Sequence, residues 1–316
     1  MIKLISPKNG ATVSTLYGYQ AALADGGELC RPNIADASFP APVRFEFEPC
    51  VSATLILTDS HGNSRAYPTQ NGHAEIYNLL VNEDYFWSVR IGAMISESRA
   101  FHTCDKLPRM IFVQGLSNVR DIGGYLTTDE KRVRQGLLYR ASEADTHENI
   151  ASEGLLTLTE ELSIKTDIDL RGINGELVRA IPSSKIKYFN FPLAAYVEIF
   201  TPEQKSTYKE IFNLLADKSI YPAVAHCAAG MDRAGTFLFI LGALLGIDEG
   251  DLLTDYEMSS FSHWGERSRD STDFVAFLEK FHCYGKSAKK AAEEFLSECG
   301  VSSETVENIR KIFIIE

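Results

Sequence analysis

Nowhere in the 316-residue chain does an apolar run reach the roughly 20 residues that a membrane-spanning helix needs. The longest, Thr236 to Ile247 (TFLFILGALLGI), fits a buried helix, so a soluble protein without an integral membrane segment is expected. Cysteine pairs at metal-ligand spacing are missing as well. Cys30, Cys50, Cys104, Cys227, Cys283 and Cys299 are scattered without a C-x-x-C pair, which argues against a zinc site or a dense disulfide framework and for reduced thiols. Basic residues are in deficit. The 31 Lys and Arg against 43 Asp and Glu give a formal charge of -12, which repels nucleic acid and anionic membrane surfaces. The start, MIKLISPKNG, reaches Pro7 before an apolar stretch of signal-peptide length builds up, and a cytoplasmic location is expected.

What is present is enough apolar material for a sizeable core. At 45% hydrophobic and 23% charged residues, and longer than most single compact domains, the chain is expected to form two domains. Up to about Cys104 the pattern is strand-like: PVRFEFEP (42–49), SATLILTD (52–59) and YFWSVRI (85–91) alternate or run apolar between turn residues. In the last of these Tyr85, Trp87, Val89 and Ile91 share one face at period two, which predicts a core position for Trp87 and an all-β sandwich over 1–105. The strand and the S-R-A-F-H-T after it are similar to fibronectin type III-like modules. The segment CDKLPRM, with a proline and three charges, marks the boundary, and an α/β domain is expected over 110–316. There KTDIDL (165–170), KYFNFP (187–192) and YPAVAHC (221–227) read as strands. Thr201-Pro202 reads as a helix N-cap followed by Tyr208, Ile211, Phe212 and Leu215 at helical spacing, with further helices near 233–246, 272–282, 287–298 and 303–314.

The chemistry concentrates between Tyr221 and Ile247. An apolar strand runs into His226-Cys227-Ala228-Ala229-Gly230-Met231-Asp232-Arg233-Ala234-Gly235, and a long apolar helix follows at once. Such a loop directs backbone N–H groups and the positive end of a helix dipole at one point, which favours an anion. A cysteine at its entrance has its thiolate stabilised by the same donors and becomes a nucleophile near neutral pH. Arg233 can close back and donate two parallel hydrogen bonds to phosphate oxygens. Gly230 permits a tight bend and Gly235 close packing of helix on sheet. None of the other five cysteines has Arg six residues on; His282-Cys283, also an HC pair, is followed by Lys289 there.

This segment resembles the H-C-x-x-G-x-x-R signature of protein tyrosine phosphatases. Its H-C-x-A-G-x-D-R-x-G form is similar to the bacterial tyrosine/serine phosphatases with phosphoinositide activity. Further motifs of that subgroup stand in order: Asn118-Val119-Arg120-Asp121-Ile122-Gly123-Gly124-Tyr125, Gly136-Leu137-Leu138-Tyr139-Arg140-Ala141, Ile168-Asp169-Leu170-Arg171 with Glu176, and Asp255-Tyr256. The resemblance covers about residues 110–316 and implies a mixed, largely parallel sheet flanked by helices. It implies that Cys227 attacks phosphorus to form a phosphocysteine, which water then hydrolyses. Arg233 and the N–H groups of Ala228, Ala229, Gly230, Met231 and Asp232 would hold the phosphoryl oxygens, with no metal or other cofactor. For the general acid Asp232, inside the loop, is favoured over Asp169, at a strand end. Asp169-Leu170-Arg171 reads equally as an ion pair with Glu176 or Asp121. Asn118, Arg120 and Asp121 are expected to brace the loop, and His226 to fix the Cys227 backbone and tune its thiolate.

Two departures stand out. Ala234 replaces the usual Ser or Thr, whose hydroxyl bonds the departing thiolate, a loss of ~1.5–3 kcal/mol. Thr236 is a poor substitute, since two helical residues turn a side chain by roughly 200°. Met231 stands where the subgroup commonly has lysine, which favours phosphoproteins or small phosphomonoesters over phosphoinositides. The leading expectation is therefore a phosphatase acting on phosphotyrosine, with phosphoserine and phosphoinositides as further classes. A phosphate-binding module with weak or no turnover is the alternative, and a sulfur-transfer or arsenate-reducing enzyme a distant third. The segment Ser262 to Ser287, with Trp264, reads as a lid over the loop or as an ordinary helix pair.

Overall fold

The computed structural model describes residues 1–173 and 175–315. Strands β1 (Lys3–Ser6) and β2 (Ala11–Val13) lead into a short helix, α1 (Gly18–Ala24). Then come β3 (Val43–Glu48), β4 (Ala53–Asp59), β5 (Ser64–Thr69), β6 (His73–Ile76), β7 (Asp84–Ile91), β8 (Met94–Ile95) and β9 (Arg99–Thr103). One sheet has the order β1-β3-β6, and a second the order β2-β9-β7-β4-β5 with β8 turned back on β7. Period-two burial sends Tyr85, Trp87 and Val89 of β7 inward, where they join Phe45 and Phe47 of β3 in a core shared by the two sheets.

The all-β expectation for this half needs correction between β2 and β3. There the chain leaves both sheets, forms α1 and packs Leu23 and Ala37 against Met258 and Phe261 of the second half. Seven residues are too few to display a helical period, and the apolar partners lie more than 200 residues away, so neither signal is visible locally.

Sheet membership changes between Thr103 and Arg109. The second half contains β10 (Arg109–Met110), β11 (Arg120–Asp121), β12 (Arg132–Val133), β13 (Leu138–Ala141), α2 (Ser152–Leu156), β14 (Thr166–Asp169) and β15 (Lys187–Asn190). It continues with α3 (Pro202–Leu215), β16 (Ala223–His226), α4 (Asp232–Leu245), α5 (Glu249–Met258), α6 (Thr272–His282), α7 (Ala288–Glu298), α8 (Ser303–Phe313) and β17 (Ile314–Ile315). The central sheet has the order β10-β11-β13-β16-β14-β15, parallel from β13 onward and antiparallel at the β10-β11 edge. Side chains alternate across it. Ala223 and Ala225 of β16 enter the large core that α3, α4, α6, α7 and α8 build on one face, while Val224 joins the smaller core on the other.

After its first two residues, Asp232 and Arg233, helix α4 is buried from Ala234 to Leu245 and almost wholly apolar, as a helix enclosed by neighbours must be, and Gly246 ends it in the left-handed conformation at φ +86°. No described helix is long and apolar enough to cross a membrane. α3 begins where its cap residues indicate: the Thr201 side chain accepts from the Gln204 N–H and Pro202 takes the first helical position. α2, with the π turn that continues it, and α5 carry little apolar periodicity in the sequence, α2 because five residues are too few to display a helical repeat.

Candidate active site

Register brings three strand ends level. Ala141 of β13 and Asp169 of β14 both lie opposite His226, the last residue of β16. Ligands of α/β sheets gather outside the carboxyl ends of parallel strands, and the loop Cys227 to Met231 leaves β16 at that point. Gly230 takes φ +66°, and a Cβ there would stand 2.4 Å from the Ala141 carbonyl oxygen, so only glycine fits.

The loop's carbonyls are all tied to the scaffold. Ala228 O accepts from the Glu143 N–H at 2.9 Å. Asn118 Nδ2 donates to both Ala229 O and Gly230 O at 3.1 Å, Arg140 Nη2 donates to Gly230 O at 2.6 Å, and Met231 O accepts from the Gly235 N–H at 2.7 Å. While these carbonyls are bonded, the N–H groups from Ala228 to Arg233 find no acceptor among the described residues. Unpaired amides at the start of a helix form a cradle for an anion.

Beneath this cradle lies a buried ionic frame. Asp255 binds Arg120 through Oδ1 at 3.0 Å and Arg140 through Oδ2 at 2.6 Å, while Arg120 also holds the Asn118 side-chain oxygen. Burial acts to raise the Asp255 pKa, but the charges of Arg120 and Arg140 outweigh it and keep the group ionised.

Cys227 is buried at the foot of the cradle, near enough to Arg233 to influence its titration. Burial opposes the charged form of Arg233, yet the Cys227 charge and the Glu176 carboxylate raise its pKa. Both Glu176 oxygens lie 2.7 Å from Arg233 Nη1, and Glu176 also accepts from the Gly172 N–H at 2.9 Å. His226 is buried with Nδ1 3.4 Å from the Cys227 carbonyl oxygen and Nε2 2.9 Å from Asp167 Oδ1. The second contact is close enough for an ion pair but off-axis for a hydrogen bond, and both atoms lack a hydrogen-bonding partner. Burial disfavours a charged His226, but Asp167 and Asp169 prevail and raise its pKa.

Asp169 and Asp232 differ in reach. Asp169 is fully buried, gripped by Arg171 through Oδ1 and Oδ2 at 2.9 Å each, with the Tyr188 hydroxyl donating at 3.1 Å. Asp232 keeps a third of its side chain exposed at the edge of the cradle. It is clamped by Arg267, with Nε at 2.5 Å and Nη2 at 2.9 Å, and receives the Tyr196 hydroxyl. For each carboxyl burial acts to raise the pKa, and the hydrogen bonds from its arginine reverse the effect and hold it below the ordinary range. Arg267 belongs to the loop 262–271 that precedes α6, so this stretch lies against the cradle as a covering loop rather than as half of a helix pair. Half-buried Trp264 fastens it through Nε1 to Glu148 at 2.7 Å.

Residues 111–314 match the tyrosine phosphatase family. The chain belongs to this family. The core catalytic domain of the PP-IP phosphatase Siw14 from S. cerevisiae, solved in complex with citrate, is similar at 15% identity, covering 48% of this chain and 90% of its own, with a TM-score of 0.33. A second structure, of the Siw14 catalytic core, is similar at 15% identity, covering 45% of this chain and 87% of its own, with a TM-score of 0.29. No curated protein matches the chain.

Within this tyrosine phosphatase family chain, Asn118 reaches the cradle, Arg120 supports it by holding Asn118, and Asp121 does neither. Asp121 instead binds Arg109 at 2.7 Å and accepts from the N–H groups of Gly123 and Gly136, two strands away from β16. The expected partners of Arg171 also change: beyond Asp169 it takes Glu143 and Asp145, each at 2.8 Å, while Glu176 serves Arg233. Thr236 is occupied elsewhere, donating to Asp232 O at 2.8 Å and accepting from the Tyr196 N–H at 3.1 Å. Arg140 and Asp255 stand in motifs quoted above, but their bracing is a tertiary fact. Arg267, Tyr196 and Glu148 carry no local signal.

Proposed function

We propose that the chain hydrolyses phosphomonoesters through a phosphocysteine on Cys227. The observation that carries this reading is the set of unpaired N–H groups from Ala228 to Arg233 arranged above a buried cysteine beside Arg233. The Cys227 thiolate attacks phosphorus, the ester P–O bond breaks, and the leaving oxygen takes a proton from Asp232. Water then attacks phosphorus, the S–P bond breaks, and Asp232 accepts the proton as inorganic phosphate departs. Metal-independent hydrolysis of para-nitrophenyl phosphate, undiminished by EDTA and blocked by vanadate, tests the reading; an enzyme that binds orthophosphate without turnover would favour the phosphate-binding alternative.

Phosphoproteins and small phosphomonoesters are the favoured substrates. Arg120, Arg140, Arg171, Arg233 and Arg267 each already bind a carboxylate, so no arginine among these five is free to greet the additional phosphates of a polyanionic headgroup. The overall charge of -12 acts in the same direction.

Exposure favours Asp232 over buried Asp169 as the acid, but an acid must be protonated and Arg267 opposes this. A partner that lowers the pKa moves the alkaline limb of the pH–rate profile downward, so its removal moves the limb up. Arg267→Ala is expected to move the alkaline limb of kcat to higher pH, and Arg267→Lys to move it less, because the lysine keeps a positive charge beside Asp232. A limb that stays in place would assign the proton to another group.

Ala234 is fully buried and offers no hydroxyl to the departing thiolate. Hydrolysis of the phosphoenzyme is therefore slow relative to its formation, and a pre-steady-state burst of para-nitrophenol is expected. Ala234→Ser, the smallest hydroxyl for this site, is expected to speed the second step by roughly 10- to 100-fold and remove the burst. Stopped-flow traces of the two proteins decide it.

A further inference from the structure

Asn118 is the most constrained residue of the loop's support. It is fully buried in the left-handed region at φ 55°, where asparagine is one of the few tolerated residues. Both hydrogens of its amide go to the loop, to Ala229 O and Gly230 O, and its side-chain oxygen is held by Arg120. The neighbouring Ser117 is anchored within the second half, its N–H donating to Ser142 Oγ and Glu148. The Asn118 N–H is different: its acceptor, Ser38 Oγ at 2.9 Å, comes from the N-terminal half.

Ser38 is itself fully buried and oriented. Its hydroxyl donates to Asp36 Oδ1 at 2.6 Å, and its N–H donates to the same oxygen at 2.8 Å. The hydroxyl hydrogen is thereby committed, which leaves a lone pair for Asn118. Asp36 Oδ2 faces His263 of the covering loop at 3.3 Å, and the Ala37 N–H donates to Phe261 O at 2.8 Å. From behind, Gln20 of α1 donates to the carbonyls of Ala37 and Phe39 at 2.9 and 2.8 Å.

We propose that Ser38 and Asp36 are positioning residues for the phosphate loop: they fix Asn118, and through it the carbonyls of Ala229 and Gly230, so the N-terminal half is part of the catalytic apparatus. The inference rests on the phosphatase reading for its kinetic consequence, though not for its geometry. Removing the Ser38 oxygen strands a buried N–H, frees Asn118 to shift and loosens the two carbonyls whose placement aims the loop's N–H groups.

The test compares the full chain with its Ser38→Ala, Asp36→Ala and Leu23→Ala variants at 25 °C. Leu23 packs in the same junction, in an apolar cluster that includes neither Asn118 nor the phosphate loop, so its truncation removes junction packing while keeping the Ser38 hydroxyl. Two quantities are read: kcat/KM for para-nitrophenyl phosphate, and the rate at which iodoacetate alkylates Cys227, followed peptide by peptide with exposed Cys30, Cys50 and Cys283 as internal references. Ser38→Ala is expected to lower both about tenfold with a Tm no lower than that of Leu23→Ala, and Asp36→Ala to lower both by less. Leu23→Ala is expected to lower Tm while leaving both rates within about twofold. Wild-type rates in folded Ser38→Ala, or an equal loss in Leu23→Ala, overturn the proposal. If the wild type hydrolyses nothing yet Ser38→Ala still slows alkylation of Cys227, the phosphatase reading falls and the positioning role stands; normal hydrolysis with unchanged alkylation is the converse.

Discussion

Cys227→Ser is expected to keep the fold and lose the chemistry, with hydrolysis of para-nitrophenyl phosphate falling by at least about 10⁴-fold. The substitution exchanges sulfur for oxygen at a buried position and alters no hydrogen bond that shapes the loop, whose carbonyls are held by Glu143, Asn118, Arg140 and Gly235. A serine hydroxyl in the same place stays protonated, because the amides that stabilise a thiolate cannot bring an alcohol into range at neutral pH. Binding and chemistry should therefore separate. Calorimetry is expected to show orthophosphate bound within about threefold of wild-type affinity, since the unpaired N–H groups and Arg233 remain. Residual turnover near the wild-type level would remove Cys227 from the reaction.

Arg233→Ala should cost about 10²- to 10³-fold in kcat/KM, the usual effect of deleting one donor from a preorganised oxyanion site. Its partner makes the expectation sharper. Glu176 places both carboxylate oxygens 2.7 Å from the Arg233 guanidinium, and without that cation it becomes an uncompensated negative charge beside an incoming dianion. The double variant Arg233→Ala with Glu176→Gln is then expected to recover about tenfold over Arg233→Ala alone, while Glu176→Gln alone loses activity because Arg233 is no longer held. A double-mutant cycle on kcat/KM measures this; additive losses would mean that Glu176 only fills space.

Much of this arrangement is legible before any coordinates. The strand, loop and helix from Tyr221 to Ile247 are contiguous, so their order alone predicts where Cys227 and Arg233 meet. Helices α3, α6, α7 and α8 lie close to the boundaries that capping residues and apolar spacing mark. What stays hidden is the support. Arg140 and Asp255 read as ordinary charges until burial forces them together, and Arg267 reaches Asp232 across 35 residues and Ser38 reaches Asn118 across 80. Periodicity and capping are local signals, and no local signal identifies the partner of a buried charge. The same limit explains Asp121: beside Asn118 and Arg120 in sequence, it sits on β11 directly opposite Arg109 of β10, and successive strand residues face opposite ways, so adjacency in a motif did not mean adjacency in space.

The two arginines beneath the loop share one carboxylate, which leaves an excess positive charge sealed from solvent. Arg140 delivers part of it directly to the Gly230 carbonyl oxygen. A peptide group conducts polarisation from one end to the other, so a cation on its oxygen draws electrons from its nitrogen and sharpens the dipole of the N–H bond on the opposite side. The amide so affected is that of Met231, one of the groups that faces the cradle. A side chain that need never touch an anion thus tunes how acidic its backbone donor is, and the sealed position keeps dissolved salt from weakening the effect.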